Sequence, residues 1–289
     1  MLVGAGGAVF EVTADAIRQV TTGGVATTLP GARSDGADGV LAVGDKAPAY
    51  RWHHGSWSAT PVRRAGHALL GVGKVPTLAV GRRGYVWSGE WTELVPALPA
   101  EPLALESSAP RAVIALLPRN RLVRHDGRVW RALAAPRPRS DLTTLLVGDA
   151  GPVLAVSADG SLTIVGGKRP TSVLVPATLA GFRAQAAAGG GKHPLYLVGS
   201  TGGTTRLARL DGTRLVAVSP APPLTLGDRA VALLSYSEGR LVIALAQGTL
   251  LTRDAAGAWT AAQLPGAAAA VAPPAANPPA SVGPAPRAP

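Results

Sequence analysis

At 289 residues the chain is long enough for one large or two ordinary domains, and no run of 18 apolar residues is present to cross a bilayer as a helix. It has no cysteine, which excludes disulfides and thiolate metal sites, while 36 glycines and 26 prolines point to many short strands between tight turns. Lys and Arg outnumber Asp and Glu by 28 to 17, a net charge of +11 that suits an acidic or nucleic-acid partner.

The N-terminal Met1-Leu2-Val3-Gly4-Ala5-Gly6-Gly7 lacks the basic and continuous apolar regions of a signal peptide. With the missing cysteines, this sets the expectation of a cytoplasmic protein. Leu2 to Gly6 is also the first, weak copy of a short apolar run. Later copies are Val40-Leu41-Ala42-Val43-Gly44, Thr77-Leu78-Ala79-Val80-Gly81, Val113-Ile114-Ala115-Leu116, Val153-Leu154-Ala155-Val156, Leu195-Tyr196-Leu197-Val198-Gly199 and Leu241-Val242-Ile243-Ala244-Leu245. Their starts at 2, 40, 77, 113, 153, 195 and 241 are 36 to 46 residues apart.

Each run is followed by a hairpin signal. Gly84 to Trp87 reads as a strand, Ser88-Gly89 as a turn, and Glu90 to Val95 as the return. Asp126-Gly127 sits between Arg121 to Arg124 and Val129 to Leu133, and Asp211-Gly212 between Thr205 to Ala208 and Arg214 to Val218. Asp-Gly favours such turns because both positions tolerate positive φ. Tryptophan marks the return strand at Trp57, Trp91, Trp130 and Trp259, where a large flat ring suits packing between repeats. Preceding strands read as His67 to Gly73, Pro102 to Ser108, Asp141 to Gly148, Phe182 to Gly189 and Ala230 to Ser237, with a less regular one near Gly24 to Leu29.

A period near 40 containing only strand-like segments implies an all-β fold, a seven-bladed β-propeller of four-stranded antiparallel blades. The first repeat lacks a preceding strand. Residues 266–272, Gly-Ala-Ala-Ala-Ala-Val-Ala, are therefore expected to pair back into it and close the ring. This sets a propeller over 1–272 and a disordered Pro/Ala-rich tail over 273–289, which has seven prolines in 17 positions.

The repeats resemble the seven-bladed propellers of the WD-repeat, kelch and sialidase-like groups. Gly-x-Trp before the return strand is kelch-like, without the usual double glycine in most repeats. Ser157-Ala158-Asp159-Gly160 is similar to the sialidase Asp-box, without its tryptophan, and no Trp-Asp dipeptide occurs. The overall style resembles divergent bacterial propellers that act as partners in multi-protein assemblies, those of conflict systems included. What the resemblance implies is a subunit of a larger bacterial complex.

Catalytic chemistry is hard to place. Asp126, Asp159 and Asp211 each precede glycine and read as turn residues. No repeated strand places the two converging carboxylates that a glycosidase needs. His53 and His54 are adjacent, so on a strand they would face opposite ways and chelate poorly. Gly189-Gly190-Gly191-Lys192 lacks the spacing and following Ser/Thr of a phosphate loop. Neither a metal nor a cofactor is expected, nor an enzyme.

Charge is the one asymmetric feature. Residues 51–140 hold 14 basic and 5 acidic residues, whereas the remainder holds 14 and 12. The candidate partner-binding residues are Arg63, Arg64, Arg82, Arg83, Arg119, Arg121 and Arg124. The expectation is a non-catalytic scaffold for protein partners, acidic ones favoured. One alternative is a glycan-binding or glycan-active propeller with Trp52, Trp57, Trp87 and Trp91 on one exposed face. The other is a nucleic-acid binder, which the scarcity of aromatics beside the arginines disfavours.

Overall fold

A computed structural model describes residues 2–3, 8–12, 17–21, 31–34, 39–43, 49–60, 62, 68–71, 75–109, 112–134, 140–148, 151–190, 194–224, 227–236 and 240–264. The N-terminal sheet contains β1 (Leu2–Val3), β2 (Val9–Val12) and β3 (Ile17–Thr21). Six antiparallel sheets of four strands follow. They are β4 (Gly31–Ser34), β5 (Val40–Val43), β6 (Tyr50–His53) and β7 (Ser56–Ala59); then β8 (Ala68–Gly71), β9 (Thr77–Val80), β10 (Arg83–Trp87) and β11 (Trp91–Leu94). Next come β12 (Ala104–Ala109), β13 (Ala112–Leu117), β14 (Arg121–His125) and β15 (Trp130–Ala132), and β16 (Leu142–Leu146), β17 (Val153–Ser157), β18 (Leu162–Val165) and β19 (Thr171–Ser172). The last two are β20 (Arg183–Gly189), β21 (Leu195–Thr201), β22 (Thr204–Asp211) and β23 (Arg214–Ala217), and β24 (Ala230–Ser235), β25 (Leu241–Leu245), β26 (Thr249–Arg253) and β27 (Trp259–Gln263).

While the first copy falls on β1, the first described strand of the N-terminal sheet, in the six four-stranded sheets the repeated apolar run is the second strand. Such a strand is covered on both faces, so it reads as continuous hydrophobics rather than an alternation. β13 shows the reason. Val113, Ala115 and Leu117 join the core shared with the β8–β11 sheet, and Ile114 and Leu116 join the core shared with the β16–β19 sheet. β21 does the same: Leu195 and Leu197 pack toward the sheet before, Tyr196 and Val198 toward the sheet after. Each fully buried leucine contributes roughly 1.5–3 kcal/mol, so every second strand stabilises two interfaces at once. This chain of shared cores makes the architecture a β-propeller of four-stranded antiparallel blades.

Seven four-stranded blades were expected; six sheets have four strands, and the N-terminal sheet has three described ones. The expected closing strand at 266–272 and the tail at 273–289 lie outside the described residues, as does the strand expected near Gly24 to Leu29. In that repeat the first strand is instead Gly31–Ser34.

The tryptophans join neighbouring blades as expected. Trp91 Nε1 donates to Thr60 Oγ1 of the preceding blade at 3.1 Å, Trp130 Nε1 to the Pro96 carbonyl at 2.9 Å, and Trp259 Nε1 to the Pro220 carbonyl at 3.1 Å. In each case the indole covers the point where the previous blade's outermost strand leaves its sheet. His125, buried in the same junction as Trp130, accepts the Gly127 N–H on Nδ1, and its Nε2 donates to the Val95 carbonyl at 3.1 Å.

Candidate functional site

The seven candidate arginines separate into four groups. Arg63 and Arg64 lie outside the described residues. Arg83 is spent within its own blade: it pairs with both oxygens of Glu93 at 2.7 and 2.8 Å across the β10–β11 ladder. Arg124 is half-buried, and its guanidinium reaches the Gly166 carbonyl of the next blade at 3.5 Å. Arg82, Arg119 and Arg121 remain, all exposed, Arg82 and Arg119 in the turns that join second to third strands of two adjoining blades and Arg121 at the start of β14.

These turns have different construction. Arg82 Nε donates to the Leu98 carbonyl and Leu98 N–H donates to the Arg82 carbonyl, both at 2.8 Å. This pins the connection that leaves β11 under the turn. In the next blade, Pro118-Arg119-Asn120 turns the chain between β13 and β14 with φ of 63° at Arg119 and 58° at Asn120. Two successive positive φ values are the backbone of a type I′ hairpin turn, which matches the twist of the strands. Asn tolerates that conformation well; arginine does so at a cost.

Asn120 has a second task. Its Oδ1 accepts the Leu142 N–H at 2.7 Å and its Nδ2 donates to Asp141 Oδ1 at 3.1 Å, so the turn is clasped to the start of the next blade. An open cleft of about 470 Å³ lies beside this clasp, lined by Leu103, Pro118, Arg119, Asn120, Asp141 and Leu142. Leu103 is anchored by its N–H to the Leu116 carbonyl at 2.8 Å, yet the residue is 51% exposed.

The carboxylates of turns behave differently. Asp126 Oδ1 accepts the N–H groups of Arg128 and Val129, and its Oδ2 accepts Arg131 Nε at 2.8 Å. These bonds, the Val129 one foremost, hold its carboxyl well below the ordinary range. Asp159 accepts the Ser161 N–H at 2.9 Å, which lowers its carboxyl in the same way. Asp254 accepts the Ala258 N–H at 2.8 Å. Asp126 and Asp159 are thus turn residues by contact as well as by sequence, whereas Asp211 is the last residue of β22, paired with Arg214.

Features proposed for other chemistries are placed as follows. Trp52 and Trp87 are buried, Trp57 and Trp91 are half-buried, and Trp87 meets Trp91 edge-on at 5.1 Å. These four rings pack inside and between blades rather than forming an exposed stacking face. Among described first strands, Glu106 is the one acid, and it is buried. His53 and His54 do not face opposite ways: His54 occupies the turn after β6 with φ 47°, so strand alternation ends and the rings come within 3.8 Å. Among the described residues no group of three His, Asp or Glu could hold a metal ion, and no helix is long and apolar enough to cross a membrane.

The role of Asn120 was missed in the sequence. The Arg-Asn pair between two apolar runs was its available signal, since Asn is one of the few residues that accept left-handed backbone.

No protein-family model matches the chain, and no curated protein matches its sequence. Solved structures do resemble it. Virginiamycin B lyase from Staphylococcus aureus is 13% identical with a TM-score of 0.60, covering 78% of this chain and 81% of the lyase. YCF48 bound to D1 peptide is 15% identical with a TM-score of 0.56, covering 81% of each chain. The WD40 β-propeller domain of Doa1 is 12% identical with a TM-score of 0.54, covering 83% of this chain and 84% of that one. At these identities the likeness establishes the propeller fold and leaves activity open.

Proposed function

We propose that the protein is a non-catalytic β-propeller scaffold that docks protein partners as a subunit of a larger assembly. The observation that carries this reading is the exposed set Arg82, Arg119 and Arg121 around a partly exposed Leu103, held on two hydrogen-bonded turns of adjoining blades. A rigid end of a ring with cations and an apolar side chain suits recognition of another protein's surface. Supporting it by analogy, one similar propeller carries a bound peptide in its structure.

The ring itself is proposed to hold seven blades, with the chain's C-terminal segment completing the N-terminal sheet. Val242, Ala244 and Leu250 support this. They are buried on the face of the last sheet turned away from the preceding one, where a further sheet would cover them. The remaining connections from a fourth strand to the next first strand run over at least eight residues, as from Ala59 to Ala68. Only two residues separate Gln263 from Gly266, so the pairing would use the far end of 266–272, around Ala270 to Ala272.

The test is to express the tagged chain in its own cells at native level and measure its size by gel filtration. A stoichiometric partner that co-elutes above the monomer size, and dissociates with rising salt, is the expected result. Elution as a monomer with no stoichiometric partner would overturn the scaffold reading.

A further inference from the structure

The cleft beside Asn120 names a kind of partner. We infer that the end of the propeller formed by the β9–β10 and β13–β14 turns binds an extended acidic peptide segment bearing an apolar side chain. This inference rests on the scaffold reading above and adds to it the site and the chemistry of the occupant.

Geometry supplies the first argument. The connection from β11 to β12 runs from Leu98, tied to Arg82, to Leu103 at the cleft. Four residues lie between them, at most about 18 Å of chain, so Arg82 and the Arg119 turn border one surface of the length of a short extended peptide. Leu103 and Pro118, both exposed, give that surface an apolar floor.

Charge supplies the second. Arg82, Arg119 and Arg121 contribute three guanidiniums, and the acids of the same end are Glu101, Asp141 and Asp159, the last on a turn whose Ala158 N–H donates to the Asp141 carbonyl and with its own carboxylate taken by the Ser161 N–H. Asp141 is partly occupied, because Asn120 Nδ2 donates to its Oδ1. Guanidiniums only donate, and each carries five N–H groups in a planar fork. Arg82 and Arg121 each use Nε on a backbone carbonyl, which leaves the terminal nitrogens of the fork for carboxylates. A carboxylate-bearing segment complements this pattern; a basic segment would meet three like charges.

A nucleic acid would also find the cations, but the cleft offers no aromatic ring for a base to stack on, and its exposed apolar residues are Leu103 and Pro118. An apolar floor favours a peptide side chain.

The experiment uses the full chain and a fluorescein-labelled dodecapeptide alternating glutamate and leucine, with binding read by fluorescence anisotropy. The controls are the same peptide with lysine for glutamate, the same peptide with serine for leucine, and a duplex DNA oligonucleotide. The inference expects the Glu/Leu peptide to bind at least tenfold more tightly than either peptide control. It expects Arg119→Glu with Arg121→Glu to weaken that binding about tenfold, and Leu103→Ser to weaken it severalfold. Circular dichroism confirms folding of both variants, and Leu103→Ser changes a half-exposed side chain, so it tests the site even where the charge reversal perturbs the turn.

Equal binding of the glutamate and lysine peptides would overturn the inference. So would unchanged binding to both variants, or DNA bound in preference to the peptide. If the native partner still co-elutes with the charge-reversed protein while the peptide arm fails, this site is wrong and the scaffold reading stands. If no partner co-elutes with the wild type either, both fall.

Discussion

Two adjoining blades each place a turn between their second and third strands at the same end of the molecule, and they build and use it differently. Between β13 and β14 the turn is Pro118-Arg119-Asn120; between β17 and β18 it is Ala158-Asp159-Gly160. In the second, the charged side chain serves the turn itself, since the Asp159 carboxylate accepts the Ser161 N–H and glycine supplies the positive φ of 87°. In the first, the amide of Asn120 does the structural work, and Arg119 sits exposed with φ 63°. A carboxylate can cap its own backbone; a guanidinium has no acceptor and cannot cap N–H groups. The basic turn therefore offers its charge outward, where the acidic turn consumes it.

Four measurements would break or sharpen that contrast. The largest effect is expected beneath both turns. Leu116 is fully buried in the core shared by the two blades, and Leu116→Ala should cost about 3 kcal/mol in urea denaturation, without distinguishing one turn from the other. Asn120→Ala should cost about 2 kcal/mol, because it removes two hydrogen bonds of the clasp to Asp141 and Leu142 and places alanine at φ 58°. A loss no greater than that of a surface substitution would show that the clasp is not stabilising.

Removing the turn carboxylates should have a smaller and pH-dependent effect. The carboxyls of Asp126 and Asp159 are lowered by the N–H groups they accept, so the folded state binds these protons less readily than the unfolded chain. Their contribution is present above the ordinary carboxylate value, about 3.9, and is lost as pH falls through the lowered folded value. Urea midpoints of Asp126→Ala and Asp159→Ala should thus fall below wild type at neutral pH and converge with it in acid. A gap that widens on acidification would contradict the capping role. The smallest effect on stability is expected for Arg119→Glu with Arg121→Glu, within about 0.5 kcal/mol of wild type, since both side chains are exposed.

Much of the architecture is legible in the sequence because second strands, buried on both faces, must be apolar at every position. The runs at 113–116, 153–156 and 241–245 all fall on such strands. Asp126-Gly127 opens a hairpin turn as read, with positive φ of 95° at Gly127, whereas Asp211 ends β22 paired with Arg214, so that turn is Gly212-Thr213, with φ 57° at Gly212. The candidate site was less legible, because what decides an arginine's availability is register and the neighbouring blade. Arg83 is tied to Glu93 by the β10–β11 register, and Arg124 reaches Gly166 42 residues away. Neither relation shows in a charge count. The adjacency of His53 and His54 misled for a similar reason: a left-handed turn residue ends the alternation that a strand would impose.

We propose that the cations at the Arg119 turn, and not the carboxylate at the Asp159 turn, face a protein partner. The most direct test is retention of the native partner by three tagged forms of the full chain: wild type, Arg119→Glu with Arg121→Glu, and Asp159→Ala. Wild type and Asp159→Ala are expected to retain the partner equally, and the charge-reversed form to lose it. Equal retention by all three, with folding intact, would contradict it.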